Sequence, residues 1–122
     1  MPHPHFVILY VHNPVNSARF YELLLGCAPI EASDTFAMFK LDSGMLLGLW
    51  SRHAVEPATG IGSGTELVFA KDSVQAVDAT YSDWVARGLS VLQTPREMEF
   101  GYTFTAADPD GHRLRVYVRQ VD

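Results

Sequence analysis

VHNPVNSARFYELLLG, residues 11–26, is the stretch from which the rest of the chain can be read. Asn13 suits a helix N-cap, where a side-chain oxygen accepts orphan backbone N–H groups, and Pro14 suits the first turn, where no N–H is needed. From there Val15, Ala18, Tyr21, Leu24 and Leu25 recur at helical spacing until Gly26 ends the segment. The run before it, FVILYV at 6–11, is apolar and rich in β-branched and aromatic residues, so it reads as a strand. Short strands are predicted after the helix at 29–32, 36–41 and 45–51, the last two joined by the turn Asp42-Ser43-Gly44.

The same order then returns. Residues 52–63, with Pro57, Gly60 and Gly62 and with Gly64 just beyond, read as a linker. A strand at 66–70 leads to Asp72-Ser73, which caps a helix carrying Val74, Val77, Tyr81, Trp84 and Val85 up to Gly88. Strands at 90–93, 102–106 and 113–119 follow. Asp108-Pro109-Asp110-Gly111, between the last two, has the residues of a type I turn with glycine in the left-handed position. The fold class is α+β: tandem βαβββ units at 5–51 and 64–119, forming a curved mixed-sheet cleft within one domain, 1–122. Neither half is long enough for a comfortable core of its own, so the halves are expected to pack together or pair with a second chain as a homodimer.

Hydrophobic content of 48% with charged content of 19% is that of a folded globular chain. The nine Lys and Arg residues form no run or stripe and the net charge is −5, which argues against a nucleic-acid partner. Cys27 is the single cysteine, which excludes an internal disulfide and suits a reducing compartment; after Gly26 it reads as a packing residue. The first apolar run is too short for a signal peptide or a membrane span, so the expected location is the cytoplasm, with no membrane partner.

Two stretches carry a family resemblance: residues 11–26, with their Ser-x-x-Phe-Tyr core, and GYTFTAADPDGHRLRVYV at 101–118, with its Asp-Pro-Asp-Gly turn. Together they resemble the vicinal oxygen chelate superfamily, which includes glyoxalase I, extradiol dioxygenases, fosfomycin-modifying enzymes and bleomycin-binding proteins. The resemblance spans nearly the whole chain. It implies metal ligands at the first and last strand of each half, which here are Phe6, Gly48, Glu66 and Arg115. Only Glu66 is a metal-ligand type, and Arg115 would set a permanent positive charge beside an ion. His5 is adjacent to Phe6, but one step along a strand turns its side chain to the other face, and only a register slip would bring it in. No metal and no cofactor is expected.

Strand alternation groups Phe6, Ile8 and Tyr10 with Leu46, Gly48 and Trp50 in the first half, and Glu66 and Val68 with Arg113, Arg115 and Tyr117 in the second. Gly48 beside Trp50 suggests a slot next to a flat indole, where a planar ligand could stack. Arg115 offers a planar fork to a ligand carboxylate, or forms an ion pair with Glu66. Phe36, Met38 and Tyr102 are candidates for the entrance. The ligand-binding set is therefore Phe36, Met38, Gly48, Trp50, Glu66, Tyr102 and Arg115, with no catalytic residue. His3 and His5 read as terminal and exposed, and His12, His53 and His112 as solvated loop residues. No nucleophile–base spacing or phosphate-cradling loop is present.

The residues LYVHNPVNSARFY, GLWSR and DPDGHRLRVYV are most similar to phenazine-antibiotic resistance binding proteins, and more loosely to bleomycin-binding proteins. That resemblance implies a dimer that sequesters a planar aromatic, antibiotic-like molecule. In it Trp50 stacks on the ring, Arg115 pairs with an acidic group, and Glu66 orients Arg115 or receives a ligand donor. The alternative is a lyase or isomerase acting on a small oxygenated metabolite, with Glu66 as general base. A purely structural or regulatory dimer with a self-filled cleft is a further possibility.

Overall fold

The computed structural model describes residues 4–56, 58 and 65–119. His3 and the linker residues Pro57, Gly60, Gly62 and Gly64 lie outside that set. The chain divides into two compact units, Met1–Ile61 and Gly62–Asp122. Each has one helix against one face of a four-stranded mixed sheet.

In the first unit β1 (Phe6–Val11) leads into α1 (Pro14–Leu25), followed by β2 (Glu31–Ala32), β3 (Phe36–Lys40) and β4 (Leu46–Ser51), in the sheet order β1-β4-β3-β2. The Asn13 side chain accepts from the N–H groups of Val15 at 3.0 Å and Asn16 at 3.2 Å. Gly26 takes the left-handed conformation, φ 75°, and its N–H returns to the Glu22 carbonyl. The helix buries Pro14, Ser17, Ala18 and Tyr21, a stripe at positions i, i+3, i+4 and i+7. Val15, expected on that stripe, is 40% exposed, and Ser17 takes the core place instead. β1 runs parallel to β4, and β3 antiparallel to it. Leu9, Val11, Ala37, Phe39, Leu47 and Leu49 form the core on the helix side.

The second unit repeats the order with β5 (Glu66–Ala70), α2 (Val74–Ala86), β6 (Ser90–Met98), β7 (Gly101–Ala107) and β8 (Arg113–Arg119). Its sheet order is β5-β8-β7-β6. The Ser73 hydroxyl caps α2 through the Ala76 N–H at 3.0 Å. Under the helix Trp84 meets Phe69 and Phe104 edge-on at 5.6 and 5.4 Å between centroids, and Tyr81 meets Phe104 at 5.3 Å. β6 runs to Met98, well past the predicted 90–93. Pro95 interrupts the pattern in sequence, but β6 is an edge strand with register shifts between Val91 and Gln93 and between Gln93 and Arg96, where a missing N–H is tolerated.

The hairpin between β7 and β8 closes as predicted. Gly111, φ 86°, donates to the Asp108 carbonyl at 3.0 Å. The Asp108 carboxylate also accepts from the N–H groups of Asp110 at 2.9 Å and His112 at 2.8 Å. His112 is buried, 8% exposed, and this corrects the expectation of a solvated loop histidine. The turn holds its backbone inward, at the start of a strand whose next alternate residues, Leu114 and Val116, are fully buried. His12 and His53 are exposed as expected, yet not independent: Nδ1 of one lies 3.0 Å from Nε2 of the other. Among the described residues no helix is long and apolar enough to cross a membrane.

Candidate ligand-binding site

In the first unit the face opposite α1 is aromatic. Register places Phe36 against Trp50 and Met38 against Gly48 across β3 and β4, with Ile8 beside Gly48 and Tyr10 beside Trp50 across β1 and β4. Phe36 stands edge-on to Trp50, 6.3 Å between centroids at 89°, and 6.5 Å from Phe6 at 49°. Ile8 and Tyr10 are 40% and 42% exposed, and Trp50, Phe36, Phe6 and Met38 are half-buried. Large apolar side chains left this accessible on one face form a surface suited to a flat apolar partner.

The slot expected at Gly48 is not open. A Cβ built there would lie 2.8 Å from Phe6 Cε1, and 3.1 and 3.2 Å from the Phe36 ring. Glycine at 48 lets two phenyl rings close over the strand, so the space over Gly48 is already occupied. Phe36 and Met38, expected at an entrance, share a face with Trp50.

In the second unit the face opposite α2 is polar and centred on Arg115. Its Nε donates to Glu66 Oε1 at 2.8 Å and its Nη2 to Glu66 Oε2 at 3.1 Å, a two-pronged ion pair. Nη1 donates to Gln93 Oε1 at 3.3 Å and to Thr103 Oγ1 at 3.2 Å. Thr103 in turn donates to the Val116 carbonyl at 2.8 Å, and Thr105 to Gln93 at 3.4 Å. The Phe100 ring caps the guanidinium, 5.5 Å from Cζ to centroid, within cation–π range. The Arg115 hydrogen bond, with the charges of Arg115 and Arg113, holds the Glu66 carboxyl below its usual range despite some opposing desolvation.

Tyr102 does not join this group. It alternates with Thr103 onto the helix side, where its hydroxyl donates to Asp78 of α2 at 2.7 Å. That bond, above all, raises the phenol above its ordinary range. The expected entrance role for Tyr102 is corrected on that ground. Gln93, Thr103, Thr105 and Phe100 went unnoticed in the sequence. The two threonines become visible only when β7 is set in register with β8, which pairs Thr103 with Tyr117 and Thr105 with Arg115.

The superfamily's metal does not fit these residues. In the first unit its positions hold the Phe6 ring and a glycine, and in the second the sole carboxylate is engaged by a guanidinium. Among the described residues no group of three or more His, Cys, Asp or Glu is placed to hold an ion.

The glyoxalase/bleomycin resistance protein/dioxygenase superfamily model matches residues 3–116. The chain belongs to that superfamily. It is 28% identical over 116 residues to the phenazine antibiotic resistance protein EhpR of Enterobacter agglomerans, covering 93% of this chain and 89% of the relative. The solution structure of protein ATC0852 from Agrobacterium tumefaciens is 56% identical with a TM-score of 0.90, covering 99% of this chain and 100% of that one. A glyoxalase-related enzyme from Fulvimarina pelagi shares the fold at a TM-score of 0.82 and 22% identity, over 98% of this chain and 89% of that one. Tandem βαβββ units, each a helix on a mixed sheet, are what this superfamily builds, as expected from residues 11–26 and 101–118.

Proposed function

We propose that this protein binds and sequesters a planar aromatic, antibiotic-like small molecule without altering it, acting as a cytoplasmic homodimer. The observation that carries the reading is the Phe36–Trp50 face: edge-on rings on an accessible sheet surface, flanked by Met38 and Tyr10. The 28% identity to a phenazine antibiotic resistance protein supports the same class of ligand. A ring stacked on Trp50 would gain about 0.5–1.5 kcal/mol beyond the area it buries. The polar cluster of the second unit supplies a second recognition surface.

The lyase or isomerase alternative requires Glu66 as a base. A carboxyl held below its usual range by a two-pronged arginine is a poor proton acceptor near neutral pH, where a general base is most effective with a raised pKa. The geometry therefore favours binding over turnover.

The test is a tryptophan-fluorescence titration of metal-stripped protein with phenazines. Trp84 is buried against Phe69 and Phe104 and serves as the internal reference. The expected result is saturable quenching that is lost in Trp50→Ala, with the ligand recovered unchanged. An absence of saturable quenching, or a response that needs an added divalent metal, would refute the reading. Sedimentation equilibrium of the same sample checks the dimer.

A further inference from the structure

The histidines that follow β1 and β4 form a pair that the sequestration reading does not use. β1 and β4 run parallel and finish in register at Val11 and Ser51, so the chain leaves both strands at the same edge of the sheet. His12 Nδ1 then lies 3.0 Å from His53 Nε2, with the ring centroids 5.1 Å apart and the planes at 82°. Both side chains are exposed.

The backbone on each side is anchored. Asn13, next to His12, caps α1, and its carbonyl accepts from the Ser17 N–H at 3.0 Å. On the other side the Arg52 N–H donates to the Val11 carbonyl at 2.8 Å and the His53 N–H to Ser51 Oγ at 3.3 Å. The Val55 N–H returns to the Ser51 carbonyl at 3.1 Å, and the Val55 side chain is buried. The spacing of the two imidazoles is therefore set by the sheet, which is what a preformed site needs.

Imidazole is the commonest side-chain metal ligand and binds in its neutral form. Two nitrogens 3.0 Å apart, each about 2.0–2.1 Å from an ion, subtend about 90–97° at it. That is the cis angle of a tetragonal or octahedral ion, whereas a tetrahedral one needs the nitrogens about 3.3–3.4 Å apart. In the hydrogen-bonded pair one of the two facing nitrogens carries a proton, and a metal needs both bare. The donor imidazole moves that proton to its other ring nitrogen, and each ring turns by roughly 40° to aim its lone pair at the ion. The pair as a whole loses no proton.

We propose that His12 and His53 form a two-histidine chelate for a first-row divalent cation, Cu(II) foremost, with water in the remaining positions. Copper stands highest in the affinity order of these ions and takes the tetragonal geometry that the spacing fits. The site lies beyond the strand ends, away from Phe6 and Gly48, within the first unit alone. It is independent of the sequestration reading. Two protein ligands make it an exchangeable site rather than a structural one, and the positive end of α1, which His12 precedes, weakens it further.

The test is a titration of the full chain with copper(II) sulfate, followed by calorimetry and electron paramagnetic resonance. His3 and His5 offer competing imidazoles, so the parent for the test carries His3→Gln and His5→Gln. It should bind one copper per chain, with hyperfine coupling to two imidazole nitrogens. His12→Gln and His53→Gln should each weaken binding at least about tenfold, since losing a residue that merely supports a ligand already costs about 10–100-fold. In each the coupling should fall to one nitrogen. Circular dichroism confirms that the variants are folded. Loss of binding in the parent, affinity retained in His12→Gln or His53→Gln, a single-nitrogen signal in the parent, or one copper per two chains would each overturn the assignment.

Discussion

Adding one methyl group at position 48 should loosen the first unit and report through Trp50. The Cβ of Gly48→Ala would stand 2.8 Å from Phe6 Cε1 and 3.1 and 3.2 Å from two atoms of Phe36. Favourable carbon contacts lie at about 3.5–4.0 Å, so both rings must retreat, Phe6 by close to an ångström. Phe36 cannot move without disturbing its edge-on contact with Trp50. Overpacking of this kind costs about 1–3 kcal/mol. It is offset by about 0.4–1 kcal/mol from the reduced freedom of the unfolded chain, since Gly48 is not among the positive-φ glycines. The net expectation is a loss of about 1 kcal/mol, or roughly 3–6 °C in Tm for a chain of this length. Thermal unfolding followed by circular dichroism reads the first quantity, and a shift in the Trp50 emission maximum reads the second. Phe6→Leu in the same chain should recover part of the loss, giving a coupling of at least about 0.5 kcal/mol in a double-mutant cycle. A Gly48→Ala protein that gains stability, keeps its emission maximum and shows no coupling to position 6 would refute the ring-closure argument.

Asn13→Ala removes both capping bonds of α1 and should cost about 1 kcal/mol in urea unfolding, without changing the Trp50 response. The Glu66 carboxyl titrates lower in the folded than in the unfolded chain, so its pair stabilises the protein at neutral pH, and that contribution fades as pH falls through the carboxylate range to the depressed folded value. Glu66→Gln should therefore be less stable than the parent by under about 1 kcal/mol at pH 7, with the gap closing in acid; a gap independent of pH would contradict the assignment. Tyr102→Phe loses the bond to Asp78 and less than about 1 kcal/mol, and should leave phenazine titrations unchanged because the ring faces α2. Trp84→Ala empties the space between Phe69 and Phe104 and should cost about 3–5 kcal/mol, the largest loss of the set.

The elements were legible because local chemistry sets them. Asn13-Pro14, Ser73, Gly26 and Gly111 carry their own backbone instructions, and the strands expected at 6–11, 66–70 and 113–119 form at those residues. β6 was cut short in the reading because Pro95 breaks a strand pattern, and nothing local says that the strand is an edge. The candidate site was legible to the extent that it depends on faces: Gly48 and Trp50 share one, as do Glu66 and Arg115, whereas Phe36 and Met38 join Trp50 only through the pairing of β3 with β4. What alternation cannot give is volume. That Phe6 and Phe36 would fill the space over Gly48, or that Gln93 and Thr103 would take two further donors of Arg115, depends on rotamers and on which strand lies alongside. Tyr102 was misplaced for a related reason: the parity of β7 relative to β8 is fixed by their pairing, not by any residue within β7.

The closed rings over Gly48 also bear on the order in which substitutions can accumulate. A carboxylate introduced at position 48 meets Phe6 and Phe36 before it can meet an ion, and on its own it is a liability to the folded chain. Shortening Phe6 first would leave a gap under Phe36, and only after that loss would a longer residue at 48 be accommodated. A longer residue at 48 and a shorter one at 6 are therefore coupled, and either change made alone costs the folded chain. In that sense Phe6 acts as a ratchet against a longer residue at position 48.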